Sequence, residues 1–441
     1  MQDAIVSTTT PSGPDAARDM MRFIDASPSP YHACAEAAAR LDAAGFSEVQ
    51  EANAWPAGPG RHYLRRGGSL VAWTTGDAHR PESGFRIVGA HTDSPNLRVK
   101  PHADAGGAGY RQLAVEVYGG ALLNSWLDRD LGLSGRVVVR GDGGPVERLL
   151  LVDRPALRIP QLAIHLDREI TANGLKLNAQ QHLSPIWGLG DPTPGAFTAY
   201  VADLLEVGAG DVLAWDLMTH DLTPSTFAGV DEELVSAPRL DNLCSSWAGL
   251  SALIAAGSDS ARPGSQVPLL VLFDHEEIGS TSSTGAESAL LPAVVERVVA
   301  TMGGGREELH RALAASVCCS ADMAHATHPN YQDRHEPGHR IELNGGPVLK
   351  VNSNVRYATD AVTGAEMVLA CEQAGVPLQR YAHRSDLPCG STIGPITAAT
   401  MGIRTFDVGA PQLAMHSARE LCGADDPARY TAAMAAFLAP A

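Results

Sequence analysis

Hydrophobic positions near the start of the chain repeat first with a helical period and then as short apolar runs. Apolar residues recur every three to four positions over 15–25 and 31–44, and the sequence SPSP at 27–30 separates the two stretches. This spacing predicts two helices with a break between them, because prolines interrupt a helix. The apolar runs at 69–74 and 85–89 predict β-strands.

The pattern changes between about residue 102 and residue 230. Short strand-like segments such as LAVEVYG and GRVVVRG alternate there with glycine-rich turns. Periodic stretches long enough for a helix are scarce in this part of the chain. The segment is therefore predicted to be a mostly β module.

After Pro238 the chain returns to apolar strands that alternate with helices. The run VPLLVLF at 267–273 is apolar throughout, as expected for a strand buried on both faces. Further strands are predicted at SVCCSADM and IRTFDVG, and helices at 242–257, 286–300, 305–315, 361–374 and 426–438. Buried strands between helices imply a largely parallel sheet that helices cover on both sides.

The simplest architecture is an α/β fold in which a β-rich segment interrupts one domain. We expect an α/β/α sandwich made of residues 1–101 and 233–441, with a β-rich domain at 102–232 inserted between them. A length of 441 residues exceeds the size at which one hydrophobic core usually stops growing, which agrees with two domains.

Composition excludes some classes of partner. The chain has 50 acidic against 33 basic residues, a formal charge of −17, so neither nucleic acid nor a membrane is expected as a partner. No apolar run is long enough to span a bilayer, and the first residues, MQDAIVSTTTPSGPD, lack the basic start and apolar core of a secretory signal. We therefore expect a cytoplasmic protein.

Polar side chains follow several of the predicted strands at the point where each strand ends. In chain order these groups are His91 and Asp93, Asp274 to Glu277, Asp322 and His325, and His416. Asp241 lies at the opening of the helix that follows the β-rich segment. In an open α/β sheet, ligands bind beyond the carboxyl ends of the strands. For any one of these residues taken singly, loop capping or surface solvation remains the alternative.

Together these residues match the ligand set of a divalent metal site. Two imidazoles and several carboxylates are donors that zinc and harder divalent ions accept. A pair of ions about 3.5–4 Å apart needs a bridging carboxylate and further ligands on each ion. A free carboxylate is also needed as a base, and the chain can fill every one of these places.

Other catalytic motifs are mostly not matched. Gly279 stands where an H-E-x-x-H helix starting at His275 would need its second histidine. The sequence CGSTIG at 389–394 has the wrong spacing for a nucleophile elbow, and no P-loop or dinucleotide fingerprint occurs. The seven cysteines include no C-x-x-C pair. A Ser/His/Asp hydrolase built from scattered residues stays open as an alternative.

Seven motifs follow one another along the chain: GAHTDSPN, RLDN, DHEEIGS, SADMAHATHPNY, GGPVLKVNSNVRYATD, PCGSTIGPI and LAMHSARE. Together they resemble the co-catalytic metal aminopeptidases that include aspartyl aminopeptidase and vacuolar aminopeptidase I. The resemblance runs from about residue 27 to the end of the chain. It implies an α/β/α catalytic domain with a β-rich dimerisation domain, and hydrolysis of the N-terminal residue of peptides.

The resemblance also implies a metal centre with individual roles. Asp241 would bridge two divalent ions, expected to be zinc, with manganese or cobalt as alternatives. The remaining ligands would be His91 and Asp322 on one ion, and Glu277 and His416 on the other. Glu276 would be the unligated general base for a zinc-activated water, and Asp93 would orient the ring of His91.

Substrate contacts are implied for four residues, His165, His325, Lys350 and Tyr357. His165 would reach the active site of a neighbouring subunit and stabilise the reaction's oxyanion, which implies a homo-oligomer, a dodecamer built from dimers. Lys350 would pair with an acidic first side chain. Peptides with a free N-terminus, and with Asp or Glu as the first residue, are therefore the expected substrates.

Several alternatives stay open at this stage. The chain could prefer neutral first residues, or be another co-catalytic metal hydrolase such as a carboxypeptidase or deacylase. A non-enzymatic metal-binding scaffold is a third alternative. Among single residues, Lys350 could be an ordinary strand-edge lysine, His325 a structural histidine, and His165 a core histidine of the strand-like run QLAIHLD.

Overall fold

The computed structural model describes residues 13–257 and 265–441. Residues 1–12, most of the stretch MQDAIVSTTTPSGPD, lie outside the described residues. The described ranges contain ten α-helices: α1 Gly13–Asp25, α2 Pro30–Ala43, α3 Ile170–Asn173, α4 Ala196–Leu205, α5 Leu240–Ala256, α6 Leu290–Thr301, α7 Arg306–Ala315, α8 Ala361–Ala374, α9 Ile393–Met401 and α10 Asp426–Leu438.

The same ranges contain twenty β-strands. They are β1 Ser47–Glu48, β2 Gly60–Arg66, β3 Ser69–Thr75, β4 Phe85–His91, β5 Asn96–Gly107, β6 Tyr110–Tyr118, β7 Leu131–Gly141, β8 Gly144–Leu157, β9 Ile186–Leu189, β10 Val212–Asp221, β11 Thr226–Ala228, β12 Leu234–Ala237, β13 Val267–Phe273, β14 Val317–Ala321, β15 Ala324–His325, β16 Val348–Val351, β17 Gln379–Ala382, β18 Arg404–Gly409, β19 Pro411–Leu413 and β20 Glu420–Gly423.

The predicted break between the first two helices is confirmed. Ser29 has extended dihedral angles, and its hydroxyl accepts a hydrogen bond from the main-chain N–H of His32 at 3.4 Å, which caps α2. Pro30 begins α2, where the missing N–H of a proline leaves no helical hydrogen bond unmade. None of the described helices has both the length and the apolar character that a membrane span requires.

The main sheet has nine strands in the order β1-β2-β3-β13-β4-β14-β18-β16-β17. Its four central strands, β13, β4, β14 and β18, are parallel to one another. Towards the edges, β3 runs antiparallel to β2 and β13, and β16 runs antiparallel to β18. β1 and β2 also pair in parallel, as do β16 and β17, so the prediction of a largely parallel sheet is right. The antiparallel pairings of β3 and β16 were not predicted, because a buried strand has the same apolar pattern in either direction.

Helices cover both faces of this sheet, as the alternation of side chains along β13 illustrates. Leu269 and Val271 pack in a core with residues of α6, α7 and α9. Leu270 and Leu272 point to the opposite face and pack with α1, α2, α5, α8 and α10. These three layers form the predicted α/β/α sandwich, and the α/β fold class is confirmed.

A second sheet is formed by strands that lie between residues 96 and 221. Its six strands are antiparallel, in the order β8-β7-β10-β5-β6-β9, and they share a core with the aromatic residues of α4. The strand β5 begins at Asn96, before residue 102, so it crosses the predicted start of the inserted domain. The limits of that domain remain a prediction.

A third, smaller sheet lies in the order β11-β12-β20-β19-β15. It joins strands that follow the second sheet in sequence to strands near the end of the chain, through the pairing of β12 with β20. His325 ends β15 and Glu420 begins β20. This sheet therefore positions both His325 and Glu420.

Two histidines near Arg239, the buried His220 and the half-buried His32, favour their neutral form. Burial, together with Arg239 and His32, lowers the pKa of His220 in β10 to about 3. Burial and Arg239 likewise lower the pKa of His32 in α2 to about 4. An unfolded histidine has a pKa of about 6.5, so below that pH the unfolded chain binds more protons than the folded chain. The stability that the two histidines contribute is complete above about pH 6.5. It is lost as the pH falls towards the pKa of His32, about 4, and that of His220, about 3.

We expect the His220→Gln variant to lose less stability than the wild type between about pH 7.5 and about pH 5. The variant lacks a group that contributes about 1.4 kcal/mol per pH unit to the fall in unfolding free energy. Urea unfolding at the two pH values measures this difference. His310→Gln, which changes an exposed histidine of α7, is the matched control. The same pH dependence in all three proteins would contradict the assignment.

Candidate metal centre

The carboxyl ends of the central strands meet at one edge of the main sheet and carry the predicted polar side chains. His91 ends β4 and is paired in register with Phe273, the last residue of β13. Asp322 directly follows β14, and Glu276 and Glu277 open a short 3₁₀ helix, Glu276–Ile278, just after β13. These side chains converge at the edge where an α/β sheet binds its ligands.

Asp241, at the start of α5, lies between the two histidines. Its Oδ1 is 3.4 Å from Nε2 of His91, and its Oδ2 is 3.5 Å from Nε2 of His416. Oδ1 of Asp322 is 3.7 Å from Nε2 of His91, and Oε2 of Glu277 is 3.3 Å from Nε2 of His416. The five side chains thus form two sets that share Asp241.

Glu276 lies beside the first of these sets. Its Oε2 is 3.9 Å from Nε2 of His91. The ligand atoms of His91, Glu276 and Asp322 are close enough together to hold a metal ion, and so are those of His91, Asp241 and Glu277. The distances therefore admit Glu276 either as a ligand or as a free carboxylate next to the ligands.

Asp93 is the anchor of this arrangement and is fully buried. Its Oδ1 accepts the main-chain N–H of Glu276 and its Oδ2 that of Glu277, both at 3.1 Å. Oδ2 also accepts the hydroxyl of Tyr118 at 2.6 Å. Nδ1 of His91 lies 3.0 Å from the main-chain oxygen of Asp93 and 3.3 Å from its Oδ1. Burial would raise the pKa of Asp93, but His91 and these hydrogen bonds hold it below its ordinary value.

Glu420 is a second buried carboxylate that binds the main chain of the cluster. Its Oε2 accepts the N–H of Asp241 at 3.0 Å, and its Oε1 accepts the N–H of His416 at 2.7 Å. Burial and the charge of Asp241 raise the pKa of Glu420 to about 8. Sequence analysis missed this residue, although it closes the motif LAMHSARE four positions after His416.

The side chains of the cluster perturb one another strongly. Burial, reinforced by Asp322 and Asp93, raises the pKa of Glu276 to about 8. Burial and the charge of Asp241 raise the pKa of Glu277 well above its ordinary value. Burial acts to lower the pKa of His416, but hydrogen bonding to Asp241 and the charge of Glu277 raise it to about 10. Without other cations the cluster therefore retains protons.

The donor set fits divalent metal ions. Oδ1 of Asp241 and Oε1 of Glu277 are buried and have no hydrogen-bond partner within residues 13–257 and 265–441. A buried carboxylate oxygen without a partner is unfavourable, so each of these atoms needs a cation. Imidazole nitrogens and carboxylate oxygens in this number are the ligands that zinc and similar ions take.

The cluster opens into a cavity of about 420 Å³ whose walls include His325, Lys350 and Tyr357. Lys350 is 3% exposed, and its ammonium group donates to the main-chain oxygen of Met323 at 3.1 Å. The same group lies 3.8 Å from Oδ2 of Asp322 and 5.2 Å from the ring centre of Tyr357. Lys350 belongs to β16, which has a neighbouring strand on each side, β18 and β17. It is therefore not on an edge strand, and the strand-edge alternative is wrong.

His165 lies apart from this cavity. It is exposed, in a turn at residues 164–166, and is not among the described residues that line the cavity. The strand-like run predicted around it is therefore wrong, and so is the core-histidine alternative. The apolar neighbours Leu162, Ile164 and Leu166 are 57%, 53% and 75% exposed, so this run resembled a buried strand in composition alone.

Sequence analysis also missed two tyrosines that contact the site. Tyr381 lines the cavity from β17, and Tyr118 ends β6 of the second sheet. Tyr118 belongs to the alternating strand LAVEVYG, which was predicted as a strand only. The local pattern carries no signal that its hydroxyl reaches Asp93.

Similarity to known proteins covers nearly the whole chain. Residues 23–438 match the family model described as aminopeptidase I zinc metalloprotease (M18). A Mycobacterium tuberculosis protein named probable M18 family aminopeptidase 2 is 57% identical over 426 residues, which is 96% of this chain and 98% of that protein. A chain in the cryo-EM structure of the Ape4 and Nbr1 complex is 36% identical, with a TM-score of 0.93 over 99% of this chain and 87% of that one. A chain of the S. cerevisiae mApe1 dodecamer is 30% identical, with a TM-score of 0.83 over 96% of each chain.

We expect Glu277→Gln to separate stability from metal binding. In the presence of a chelator its melting temperature should equal or exceed that of the wild type, because the change neutralises a buried carboxylate that lacks a cation. Added zinc should raise the melting temperature of the wild type, because it binds the folded chain, and should raise that of the variant less. Thermal unfolding with and without zinc measures both effects.

The control for this experiment is Glu287→Gln, the same change at an exposed glutamate ten positions along the chain. It should respond to zinc as the wild type does. An equal zinc response in the Glu277 variant and the wild type would contradict the assignment of Glu277 as a ligand.

Proposed function

The chain belongs to the aminopeptidase I (M18) family of zinc metalloproteases, and from this premise we propose how its metal centre removes the N-terminal residue of peptides. As a member of this family it is a metallo-aminopeptidase, a hydrolase. Membership favours this activity over the carboxypeptidase, deacylase and scaffold alternatives. The proposal adds two metal ions, a glutamate base and a preference for acidic first residues.

The observation that carries the two-metal proposal is the division of ligands about Asp241. One oxygen of its carboxylate lies toward His91 and the other toward His416. Each histidine has a further carboxylate within 4 Å, Asp322 in one set and Glu277 in the other. A carboxylate between two such sets suits a bridge between two ions. Zinc is the expected metal because the matched family consists of zinc metalloproteases, with manganese and cobalt as alternatives.

Glu276 is the proposed general base. When bound, a metal pair polarises the scissile carbonyl and makes water nucleophilic near neutral pH. Glu276 would take the proton of the attacking water and pass it to the departing amine. Its side chain is 15% exposed toward the cavity, against 4% for Glu277, which leaves it accessible to the reacting groups. Asp93 binds its main-chain N–H and so fixes where its side chain begins.

Action at a free N-terminus is proposed to depend on the carboxylates at the inner end of the cavity. The α-amine of a peptide is a cation, and the carboxylates at the inner end of the cavity would attract it. A blocked N-terminus removes this charge. We therefore expect N-acetylated peptides to be poor substrates, which also separates this activity from that of a deacylase.

Lys350 is proposed to select acidic first residues. Its ammonium group lies in the wall of the cavity that holds the metal cluster, next to the ring of Tyr357. One of its donors is taken by the main chain of Met323, which leaves further donors for the carboxylate of a substrate Asp or Glu. His325, in the same wall, is proposed as a second substrate contact.

An oligomer is proposed from the surface around His165. Apolar side chains flank this histidine in an exposed turn of the predicted inserted domain, 102–232, and exposed apolar patches are typical of interaction sites. The S. cerevisiae structure to which the chain is similar is a dodecamer. We propose that this chain also assembles from dimers into a dodecamer, and that His165 completes the active site of a neighbouring subunit by stabilising the oxyanion.

Glu276→Gln is expected to retain two metal ions per chain and to lose turnover by about 10²- to 10⁴-fold, the contribution of a well-placed general base. Metal content by elemental analysis and kcat on an aminoacyl anilide measure the two parts. Glu277→Gln should lose metal as well as turnover, and Glu287→Gln should lose neither. Loss of metal in the Glu276 variant would make this residue a ligand, and near-normal turnover would exclude it as the base.

Lys350→Met is expected to lower kcat/KM for Asp and Glu anilides by about 10- to 100-fold, the size of one hydrogen bond to a charged group. Alanine and leucine anilides should change much less, because they do not use the ammonium group. A panel of these substrates with the wild type and the variant measures the difference, and metal content is checked in both. A wild type that favours neutral residues, or an equal loss on all substrates, would contradict the proposed selectivity.

A further inference from the structure

The chain that leaves the second sheet passes directly over the metal cluster. This YGG segment consists of Tyr118, the last residue of β6, with Gly119 and Gly120. Tyr118 donates a hydrogen bond to Asp93, which contacts His91, and the main-chain oxygen of Gly120 accepts a hydrogen bond from His416. The inserted sheet is therefore in contact with both halves of the site.

Tyr118 acts on the first half through Asp93. Its hydroxyl donates to Oδ2 of Asp93 at 2.6 Å, and Oδ1 of the same carboxylate is 3.3 Å from Nδ1 of His91. The tyrosine is 7% exposed, and the guanidinium of Arg98 lies 3.9 Å from its ring centre. A stacked and buried ring has little freedom to move. The hydroxyl therefore joins the main-chain N–H groups of Glu276 and Glu277 in setting how the carboxylate faces the imidazole.

Gly120 acts on the second half directly. Its main-chain oxygen is 3.1 Å from Nδ1 of His416, and the N–H of Leu122 donates to the main-chain oxygen of the same histidine at 3.0 Å. A hydrogen on Nδ1 places the lone pair on Nε2, the atom that faces Asp241 and Glu277. The segment thereby selects the tautomer that a metal ligand needs.

The close approach requires glycine at both positions. Gly119 has φ +70°, and a Cβ there would lie 3.1 Å from Cβ of Glu277. A Cβ on Gly120 would lie 3.1 Å from Nδ1 of His416. Both contacts are tighter than ordinary packing, so a side chain at either position would displace a proposed ligand.

We propose that the YGG segment is a positioning element for the metal centre, so that metal affinity depends on the inserted sheet as well as on the α/β domain. This inference rests on the ligand roles in the proposed function. Hydrogen-bond partners of ligand histidines typically change metal affinity by about 10- to 100-fold when they are lost. The effect of Tyr118 falls on the His91 half, and that of Gly119 and Gly120 on the half with Glu277 and His416.

The first test compares Tyr118→Phe with Tyr63→Phe. Each removes one hydroxyl from a buried tyrosine that donates to an aspartate, and Tyr63 donates to Asp42 in the α/β domain, at 2.9 Å. Zinc affinity of the full-length chain is measured after metal removal, by competition with a chromophoric chelator. We expect Tyr118→Phe to weaken one of the two zinc sites by about 10- to 100-fold, and Tyr63→Phe to leave both unchanged.

The second test compares Gly119→Ala with Gly109→Ala. Both glycines have a positive φ, +70° and +83°, but a Cβ on Gly109 meets nothing within 4 Å. Both variants place an alanine at a positive φ, and only the first reaches Glu277. We expect Gly119→Ala to weaken the other zinc site and to alter the visible absorption spectrum of the cobalt-loaded protein. Gly109→Ala should bind both metals as the wild type does.

The zinc affinities distinguish failure of this inference from failure of the proposed function. Wild-type chain that binds no zinc would overturn the ligand assignments and this inference together. Wild type that binds zinc, with Tyr118→Phe and Gly119→Ala within twofold of its affinity, would overturn this inference alone. An equal loss in each variant and its control would also overturn it, because it would reduce the segment to a general structural role.

Discussion

The arrangement of this site depends on how a buried group of carboxylates is neutralised at the carboxyl edge of the main sheet. Burying an ionised carboxylate is unfavourable unless donors or cations face its oxygens. Main-chain N–H groups of the protein itself donate to the oxygens of Asp93 and of Glu420. Asp241 and Glu277 each keep an oxygen that accepts no hydrogen bond within the described ranges, and the nearest imidazole nitrogen to that of Asp241, Nε2 of His91, is 3.4 Å away. The first pair therefore holds the cluster in place, and the second pair needs a cation.

The centre of the main sheet could be predicted because its strands are apolar on both faces and are separated by helices. The direction of the strands toward the edges of the sheet could not be predicted. All seven residues of β3 are buried, and such a strand has the same composition whether its neighbours are parallel or antiparallel. The run around His165 was misinterpreted for a related reason, because an apolar exposed turn has the same composition as a short buried strand.

The cluster itself could be predicted in outline, since parallel strands bring their carboxyl ends to one edge and polar residues follow those ends. The residues that hold the cluster in place could not be predicted. Glu420 bonds to Asp241, 179 positions away, and Tyr118 bonds to Asp93 from another sheet, so both contacts depend on tertiary structure. The motifs carried the assignment of the family, whereas the role of each ligand and the cytoplasmic location remain predictions.

The adjacent glutamates indicate how one anchor can give two side chains different tasks. The main-chain N–H groups of Glu276 and Glu277 both bond to Asp93. Successive side chains of a 3₁₀ helix diverge by about 120°, so Glu277 faces the ring of His416 while Glu276 lies beside His91. Because Asp93 also contacts the ring of His91, any displacement of this carboxylate would move a histidine and both glutamates together. The spacing between the proposed ligands and the proposed base is therefore set by one buried carboxylate rather than by independent loops.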